Sequence, residues 1–260
     1  MSETLEGIVH STFVYPIKGF PGIETPERGI RVNTQNGVQG DRNVAFYRRD
    51  DGLPTEWRPK GQFKICQNTE GMANQSLGLT EYDLDSWYRL SPGLVRQAVA
   101  GSGLDIPFSS VVDTRGYWYL SDTHKPCVSF LNLASVEALG DFMNTHIDPR
   151  RFRMNVWVRG LSPWFELDYV RGFEQGPQYP MHISNNLRLH IDDLCERCKA
   201  TEQSPETGTW DLKILEALDA LLHIRGYEGS PHRGKFEVMG WLAIPQENGM
   251  IRVGDSVVFG

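Results

Sequence analysis

Cysteine is scarce in this chain, and long apolar runs are missing from it. Four cysteines among 260 residues are too few for a disulfide scaffold. The first residues contain neither the basic segment nor the apolar segment of a secretory signal peptide. No stretch approaches the ~18 apolar residues of a membrane-spanning helix. We therefore expect a cytoplasmic protein in a reducing compartment, with no membrane span.

The sequence also lacks the charge pattern and the short motifs of several large functional classes. The 26 basic and 33 acidic residues give a net charge of −7 and are spread along the chain, whereas a nucleic-acid interface needs clustered lysine and arginine. The seven histidines show no metal-ligand spacing. The serine-hydrolase elbow, the Walker phosphate loop and the dinucleotide-binding glycine fingerprint do not occur. Nucleic acid is therefore not an expected partner.

Glycine and proline, in contrast, are abundant, with 26 and 15 residues. This composition is typical of many short strands joined by turns, so we expect a mostly β (α+β) fold with a few helices. A soft domain boundary is expected at the Gly101-Ser102-Gly103 cluster. Apolar periodicity predicts helices at residues 129–143 and 210–224. Strands are predicted at residues 8–17, 29–33, 44–49, 62–67, 152–158, 187–191, 236–244 and 251–259, the last two around an Asn248-Gly249 turn.

The most informative feature is Cys198, which two residues separate from Cys195. It lies between Arg197 and Lys199 in a polar segment, and nearby cations favour the thiolate, the nucleophilic and metal-binding form of the side chain. The pair also suits a zinc knuckle or a thioredoxin-type redox site, although no second pair and no βαβ unit accompany it. Two thiols without any chemistry are the remaining alternative. We expect Cys198 to be the reactive residue.

Two basic residues occur where turns meet predicted strands. Lys18 ends the first strand beside a glycine turn, and Arg42 belongs to the segment Gly40-Asp41-Arg42. A lysine in such a place can reach an anion, and an arginine can bind phosphate with two hydrogen bonds. Either residue alone is more often a solvated surface charge. The turn Ser121-Asp122-Thr123 adds hydroxyls and a carboxylate, with a helix cap or a plain turn as the alternative.

Arginine is concentrated in residues 150–155. If residues 152–158 form a strand, alternation places Arg151, Arg153 and Asn155 on one face. Two arginines and an amide on one sheet face indicate a polar ligand, with salt bridges to acidic residues as the alternative. The residues alone therefore predict an anion-binding cleft with a reactive cysteine.

Six short motifs follow one another along the chain: Tyr15-Pro16-Ile17-Lys18, Gly40-Asp41-Arg42, Ser121-Asp122-Thr123, Arg151-Phe152-Arg153-Met154-Asn155, Cys195-Glu196-Arg197-Cys198 and residues 249–255. In this order they resemble the MOSC proteins, named after the C-terminal domain of molybdenum-cofactor sulfurase. The opening segment resembles the β-barrel domain that precedes MOSC in the mitochondrial amidoxime-reducing component and its bacterial relatives. The resemblance extends over essentially the whole chain. It implies a smaller β-rich domain at residues 1–103 and a β-barrel-like MOSC domain with peripheral helices at residues 104–260.

The resemblance implies a cofactor and a role for each motif. The cofactor is Mo-molybdopterin, a pyranopterin dithiolene with a terminal phosphate. Cys198 matches the molybdenum ligand, and a soft thiolate suits such a metal. Lys18 and Arg42 match residues that hold the phosphate. The other matches lie on the pterin side or beside the ligand, and they are Ser121, Asp122, Thr123, Arg153, Asn155 and Arg197.

The implied activity is that of a molybdenum-cofactor oxidoreductase. It would reduce a small N-hydroxylated or N-oxide substrate with electrons from a separate electron-transfer protein. The alternative is a carrier, in which Cys198 bears a persulfide sulfur or the protein delivers the cofactor without turnover. A structural or zinc-binding module is a third interpretation. Gly19, Met154 and Ser204 depart from the family pattern, which has serine, proline and aspartate there.

Overall fold

A computed structural model of the chain describes residues 5–47, 63–64, 70–75, 79–84, 110–113, 123, 125–171, 179–184, 187–227 and 237–260. The helices in these ranges are α1 (Leu133–Met143), α2 (Phe165–Arg171) and α3 (Ile214–Ile224), and none of them is long and apolar enough to cross a membrane. The strands are β1 (Leu5–Val14), β2 (Ile23–Glu24), β3 (Ile30–Asn33), β4 (Gly37–Val38), β5 (Val44–Tyr47), β6 (Phe63–Lys64), β7 (Ser110–Asp113), β8 (Val128–Asn132), β9 (Val156–Arg159), β10 (Tyr179–Ile183), β11 (Leu187–Glu196), β12 (Val238–Pro245), β13 (Gly249–Ile251) and β14 (Ser256–Phe259). The expected mostly β fold with a few helices is confirmed.

Seven strands form a closed barrel. Their order around the ring is β1, β9, β8, β12, β11, β10 and β14, and β14 pairs again with β1. The closing register runs from Leu5 opposite Phe259 to Ile8 opposite Ser256. β8 and β9 are parallel, and the connection between them contains α1. β1 thus belongs to the barrel, while the division between residues 103 and 104 stays a prediction.

Two apolar cores lie on the two faces of this barrel, because successive side chains of a strand point to opposite sides. On the inner face Trp241 stacks on Phe130 with ring centroids 5.3 Å apart, and all seven strands contribute to the same cluster. On the outer face Trp157 of β9 belongs to a second cluster that includes Leu139 of α1 and Leu218 of α3. The helices therefore cover one side of the barrel and leave its interior filled by side chains.

The helix predicted at residues 129–143 begins later, at Leu133, because the residues before it form β8. All five residues of β8 are buried, and a short buried strand has the same apolar pattern as a helical turn. The Asn132 side chain accepts a hydrogen bond from the N–H of Ala134 at 3.1 Å, which caps α1 where the strand ends. The helix predicted at residues 210–224 is confirmed from Ile214 onward.

The strand predicted at residues 152–158 is wrong in its first half. Pro149–Phe152 forms a 3-10 helix, Arg153 has a left-handed backbone with φ of 55°, and β9 begins only after Asn155. Alternation along a strand therefore does not apply to this segment. Arg151, Arg153 and Asn155 do not share one sheet face.

The hairpin predicted around Asn248-Gly249 is also wrong. β12 pairs with β11 along one edge and with β8 along the other, so it has no free edge for the strand that follows it. β13 pairs instead with β3, where Ile251 lies opposite Ile30. Residues 252–255 separate β13 from β14, which divides the strand predicted at residues 251–259.

A buried carboxylate connects α2 to the barrel. Glu166 is 1% exposed, and its carboxylate accepts hydrogen bonds from the Asn132 amide, the Ser135 hydroxyl and the Gly240 backbone N–H, each at 3.2 Å. Gly240 has φ of 77°, and a β-carbon there would lie 2.2 Å from the carbonyl oxygen of Phe130. β12 therefore requires glycine at this position. Burial raises the pKa of Glu166, although its hydrogen bonds oppose the shift.

We predict that Glu166 makes the stability of the protein fall as pH rises. Because its pKa is raised in the folded state, the folded protein binds this proton more tightly than the unfolded chain does. The contribution is lost as pH rises above about 4.3, where an unfolded glutamate ionises. Urea denaturation over this range should show a negative slope in the free energy of unfolding that Glu166→Gln reduces. Glu216→Gln, at a side chain that is 73% exposed, should keep the wild-type slope. Equal slopes in all three proteins would contradict the prediction.

Candidate functional site

The first two motifs of the sequence lie side by side. The N–H of Lys18 donates to the carbonyl of Val44 at 2.8 Å, and the N–H of Arg42 donates to the carbonyl of Tyr15 at 2.6 Å. Arg42 itself has φ of 49°, which turns the chain out of the preceding glycine turn. The residues that follow β1 are thereby fixed against the residues that precede β5.

Asp41 is the residue at which three segments meet. One carboxylate oxygen accepts from the N–H of Tyr15 at 2.7 Å and from Nδ2 of Asn155 at 3.0 Å. The other oxygen accepts from Nη1 of Arg42. Asp41 is not among the site residues predicted from the sequence, although it stands beside Arg42 in the second motif. An aspartate in a glycine turn next to an arginine is the signal that would have found it.

Asn155 is one of the residues expected at the cofactor, and its side chain is engaged by the protein. It is 1% exposed, and its amide oxygen accepts from the hydroxyl of Ser129 at 2.7 Å. Its amide nitrogen donates to the carbonyl of Phe13 at 3.2 Å and to Asp41. Asn155 therefore holds Asp41 in place between β1 and β8.

Two arginines contact the ring of Tyr15, and the charge of a third acts on it. The guanidinium carbon of Arg42 lies 5.5 Å from the ring centroid and that of Arg153 lies 4.8 Å from it. Burial raises the pKa of Tyr15, and the charges of Arg153, Arg42 and Arg197 oppose that shift. Among the described residues, the Arg153 guanidinium contacts this ring but forms no hydrogen bond or ion pair. This group of Tyr15, Asp41 and the three arginines is called the arginine cluster below.

Arg197 extends the arginine cluster to the cysteine segment. Its Nη1 lies 2.8 Å from the sulfur of Cys195 and 3.2 Å from the sulfur of Met154, and its Nη2 donates to the carbonyl of Phe152. Its Nε is buried and has no partner in the described part of the chain. Arg197 is only 8% exposed, so this donor is shielded from water.

Cys198 follows that arginine, whose side chain contacts the sulfur of Cys195 instead. The backbone of Cys198 is extended, with φ of −134° and ψ of 170°, and the N–H of Arg197 pairs with the carbonyl of Glu237. The ammonium of Lys199 lies 4.8 Å from the ring centroid of Trp210. The two cations next to Cys198 in sequence are therefore directed to other partners.

The structure also bears on the alternatives for the cysteine pair. Cys195 and Cys198 are free thiols and form no disulfide with each other. The residues that the structure describes contain no group of three side chains suited to hold a metal ion. The Cys198 sulfur is half-buried and forms no hydrogen bond with any described residue.

The remaining residues expected at the cofactor are Lys18, Ser121, Asp122 and Thr123. Lys18 is 1% exposed, with its ammonium 5.5 Å from the centroid of the Phe63 ring. The Thr123 hydroxyl lies 3.2 Å from the sulfur of Cys127. Burial raises the pKa of Cys127 to about 11, and the hydrogen bond with Thr123 opposes this rise. Ser121 and Asp122 lie outside the described residues.

Among the described residues, the arginine cluster combines three guanidinium groups with the carboxylate of Asp41. The Arg153 guanidinium and Nε of Arg197 have hydrogen-bond donors without a partner there, and guanidinium groups are good donors to anions. Residues 122–258, more than half of the chain, match the MOSC domain. The chain belongs to the MOSC family. The MOSC domain is associated with binding or sulfuration of the molybdenum cofactor.

Among solved structures, the chain is similar to the YuaD protein from Bacillus subtilis, with 10% identity and a TM-score of 0.44 over 100% of this chain and 98% of that chain. No curated protein matches the chain in sequence.

We predict that Asp41 stabilises the arginine cluster. In Asp41→Ala the N–H of Tyr15, the amide of Asn155 and Arg42 all lose an acceptor, so the free energy of unfolding should fall by about 2 kcal/mol. Urea denaturation followed by tryptophan fluorescence measures the change. Asp141→Ala, at an exposed position on α1, is the control and should stay within about 0.5 kcal/mol of wild type. Equal effects of the two substitutions would refute this role.

Proposed function

We propose that this MOSC protein binds a molybdenum cofactor and reduces small N-hydroxylated or N-oxide substrates with electrons from a separate protein. The observation that carries the proposal is the arginine cluster, in which the charges of Arg42, Arg153 and Arg197 all act on the buried Tyr15. The terminal phosphate of the cofactor is an anion that guanidinium groups bind well. When bound, the molybdenum centre supplies two-electron redox chemistry, and the protein supplies position and electrostatics.

The donor set fits the cofactor. The Arg153 guanidinium has no hydrogen bond within the described residues, and Nε of Arg197 is buried without a partner there. A buried donor without a partner is costly, and an anionic ligand would satisfy it. In this proposal Arg42, Arg153 and Arg197 hold the cofactor directly. Asn155 acts through Asp41, because its own amide is already engaged.

Cys198 is the proposed metal ligand. Its sulfur is half-buried and has no hydrogen bond to any described residue, so a metal would not have to displace a protein partner. A thiolate is a suitable ligand for a metal that also carries dithiolene sulfur. Cys195 is not the metal ligand in this proposal, because Arg197 already contacts its sulfur at 2.8 Å. Lys18, Ser121, Asp122 and Thr123 complete the proposed cofactor contacts.

Metal analysis of the purified full chain tests the ligand. After expression in a host that makes the cofactor, we expect about one molybdenum per chain, and loss of that metal in Cys198→Ala. Cys127→Ala is the matched control, since it also removes a half-buried thiol but not the proposed metal ligand, and it should retain molybdenum. Protein without metal but with a persulfide on Cys198 would support the carrier alternative. Stoichiometric zinc would contradict both.

Cofactor retention tests the arginine cluster. We expect Arg153→Gln to weaken retention about tenfold, the effect of ~1.4 kcal/mol, because it removes a charged donor from the anion site. Fluorescence of the oxidised pterin released from purified protein measures retention. Arg150→Gln is the matched control, because the Arg150 side chain is paired with Asp148 at an exposed position. Equal retention by both variants would show that the cluster is not the anion site.

Turnover separates an enzyme from a carrier. Molybdenum-loaded protein should oxidise reduced viologen when an N-hydroxylated amidine is added, at a rate that depends on both reagents. The metal-free Cys198→Ala variant supplies the blank. Loaded protein that leaves the viologen reduced would contradict the reductase and leave the carrier as the better reading.

A further inference from the structure

Residues 198–211, called the cysteine loop below, begin at the proposed metal ligand. The loop starts as Cys198 followed by a 3-10 helix, Lys199–Glu202, and returns along an antiparallel bridge between Gln203 and Trp210. Asp211 closes it, with its N–H donating to the carbonyl of Glu202 at 3.2 Å. The position of Cys198 is therefore set by whatever holds the two ends of this loop.

Arg151 holds both ends of the cysteine loop. Its Nη1 and Nη2 donate to the two carboxylate oxygens of Asp211 at 2.8 and 2.6 Å. Nη1 also lies 3.5 Å from the carbonyl oxygen of Thr201, at the outer limit of a hydrogen bond. Arg151 is only 7% exposed, so the pair is shielded on the arginine side more than a surface salt bridge would be. The sequence pattern predicted that Arg151 lies on a sheet face that binds a polar ligand. In the structure Arg151 is paired with Asp211.

Thr201 connects this ion pair to the cysteine. Its N–H and its hydroxyl both donate to the carbonyl of Cys198, each at 3.0 Å. Thr201 is 1% exposed, so no water competes for that carbonyl on this side. A contiguous route of polar contacts thus runs from Asp211 through Arg151 and Thr201 to the backbone of Cys198.

The tip of the loop is held by a second segment. The N–H of Ala73 donates to the side-chain oxygen of Gln203 at 2.7 Å, and the N–H of Gly71 donates to the carbonyl of Gly208 at 2.9 Å. A β-carbon at Gly208 would lie 2.5 Å from the Cα of Gly71, so the two backbones are in contact. With the tip fixed here and the ends fixed by Arg151, Thr201 can act on Cys198 without moving the rest of the loop.

We infer that Thr201 is a positioning residue for Cys198 and that the Arg151–Asp211 ion pair keeps Thr201 in place. The inference rests on the proposed function, in which the Cys198 sulfur is the metal ligand. Thr201 does not touch that sulfur. It fixes the carbonyl of the same residue, which sets the direction in which the Cys198 side chain leaves the loop.

The rate at which iodoacetamide alkylates Cys198 tests the inference in metal-free full-length protein. Peptide mass spectrometry gives this rate relative to that of Cys195 in the same molecule. We expect Thr201→Val to raise the Cys198/Cys195 ratio about fivefold, the factor that one net hydrogen bond of ordinary strength gives. Thr201→Ser keeps the hydroxyl and should therefore show the wild-type ratio. Thr207→Val, which removes an exposed hydroxyl from the same loop, should leave the ratio unchanged.

The ion pair is tested in the same assay. Asp211→Asn should raise the ratio in the same direction, whereas Glu216→Gln removes an exposed pair with Lys213 and should not. A ratio that is unchanged in Thr201→Val would overturn the inference, and so would equal acceleration of both cysteines, which indicates general destabilisation. The assay needs no metal. A chain that fails to bind molybdenum can therefore still give the expected ratio, and a chain that binds it can still refute the positioning role.

Discussion

The barrel is closed by a single strand, β1, which pairs with β9 along one edge and with β14 along the other. Closure leaves the ring without an unpaired edge and encloses an apolar interior. Because the chain runs from β1 directly into Tyr15, the strand that closes the barrel also delivers the first site motif. The N–H of Phe13 still pairs with the carbonyl of Asn155 at 2.7 Å, so β1 and the segment before β9 arrive together. The location of the candidate site is a consequence of this closure.

The arginine cluster differs from the barrel core, because its side chains are charged and their burial is unfavourable. Removing guanidinium groups from water costs desolvation energy, and contacts with a carboxylate, a carbonyl, sulfur atoms and the Tyr15 ring oppose that cost. Nε of Arg197 keeps no partner in the described residues. A buried donor without a partner does not stabilise the fold, and it is expected where a ligand completes the hydrogen bonds. In the proposed function this ligand is an anion, the phosphate of the cofactor.

Local patterns predicted several elements, and in α3, β3 and β11 the burial is one-sided. The helix α3 and the strands β1, β3, β5, β6 and β11 lie within or overlap the predicted segments, because a period of 3.6 or 2 appears in the residues themselves. The patterns failed where burial is complete or where the chain turns. β8 is buried on both faces and so imitates a helix start, and the left-handed residue Arg153 ends a 3-10 helix inside an apparently alternating run. The hairpin at Asn248-Gly249 failed because both edges of β12 are already occupied, which no local pattern records.

The sequence by itself determined the order of the motifs, the family that this order resembles, and Cys198, Arg42, Arg153 and Arg197 as candidates. The match of residues 122–258 to the MOSC domain confirms that family. Only the tertiary structure decided which of these residues meet. Asp41 joins Tyr15 across 26 positions and Asn155 across 114, and Arg197 turns to Cys195 rather than to its neighbour Cys198. Contacts between distant residues depend on how the whole barrel closes, and the direction of a side chain depends on the backbone that carries it. Neither is written in the residues next to it along the chain.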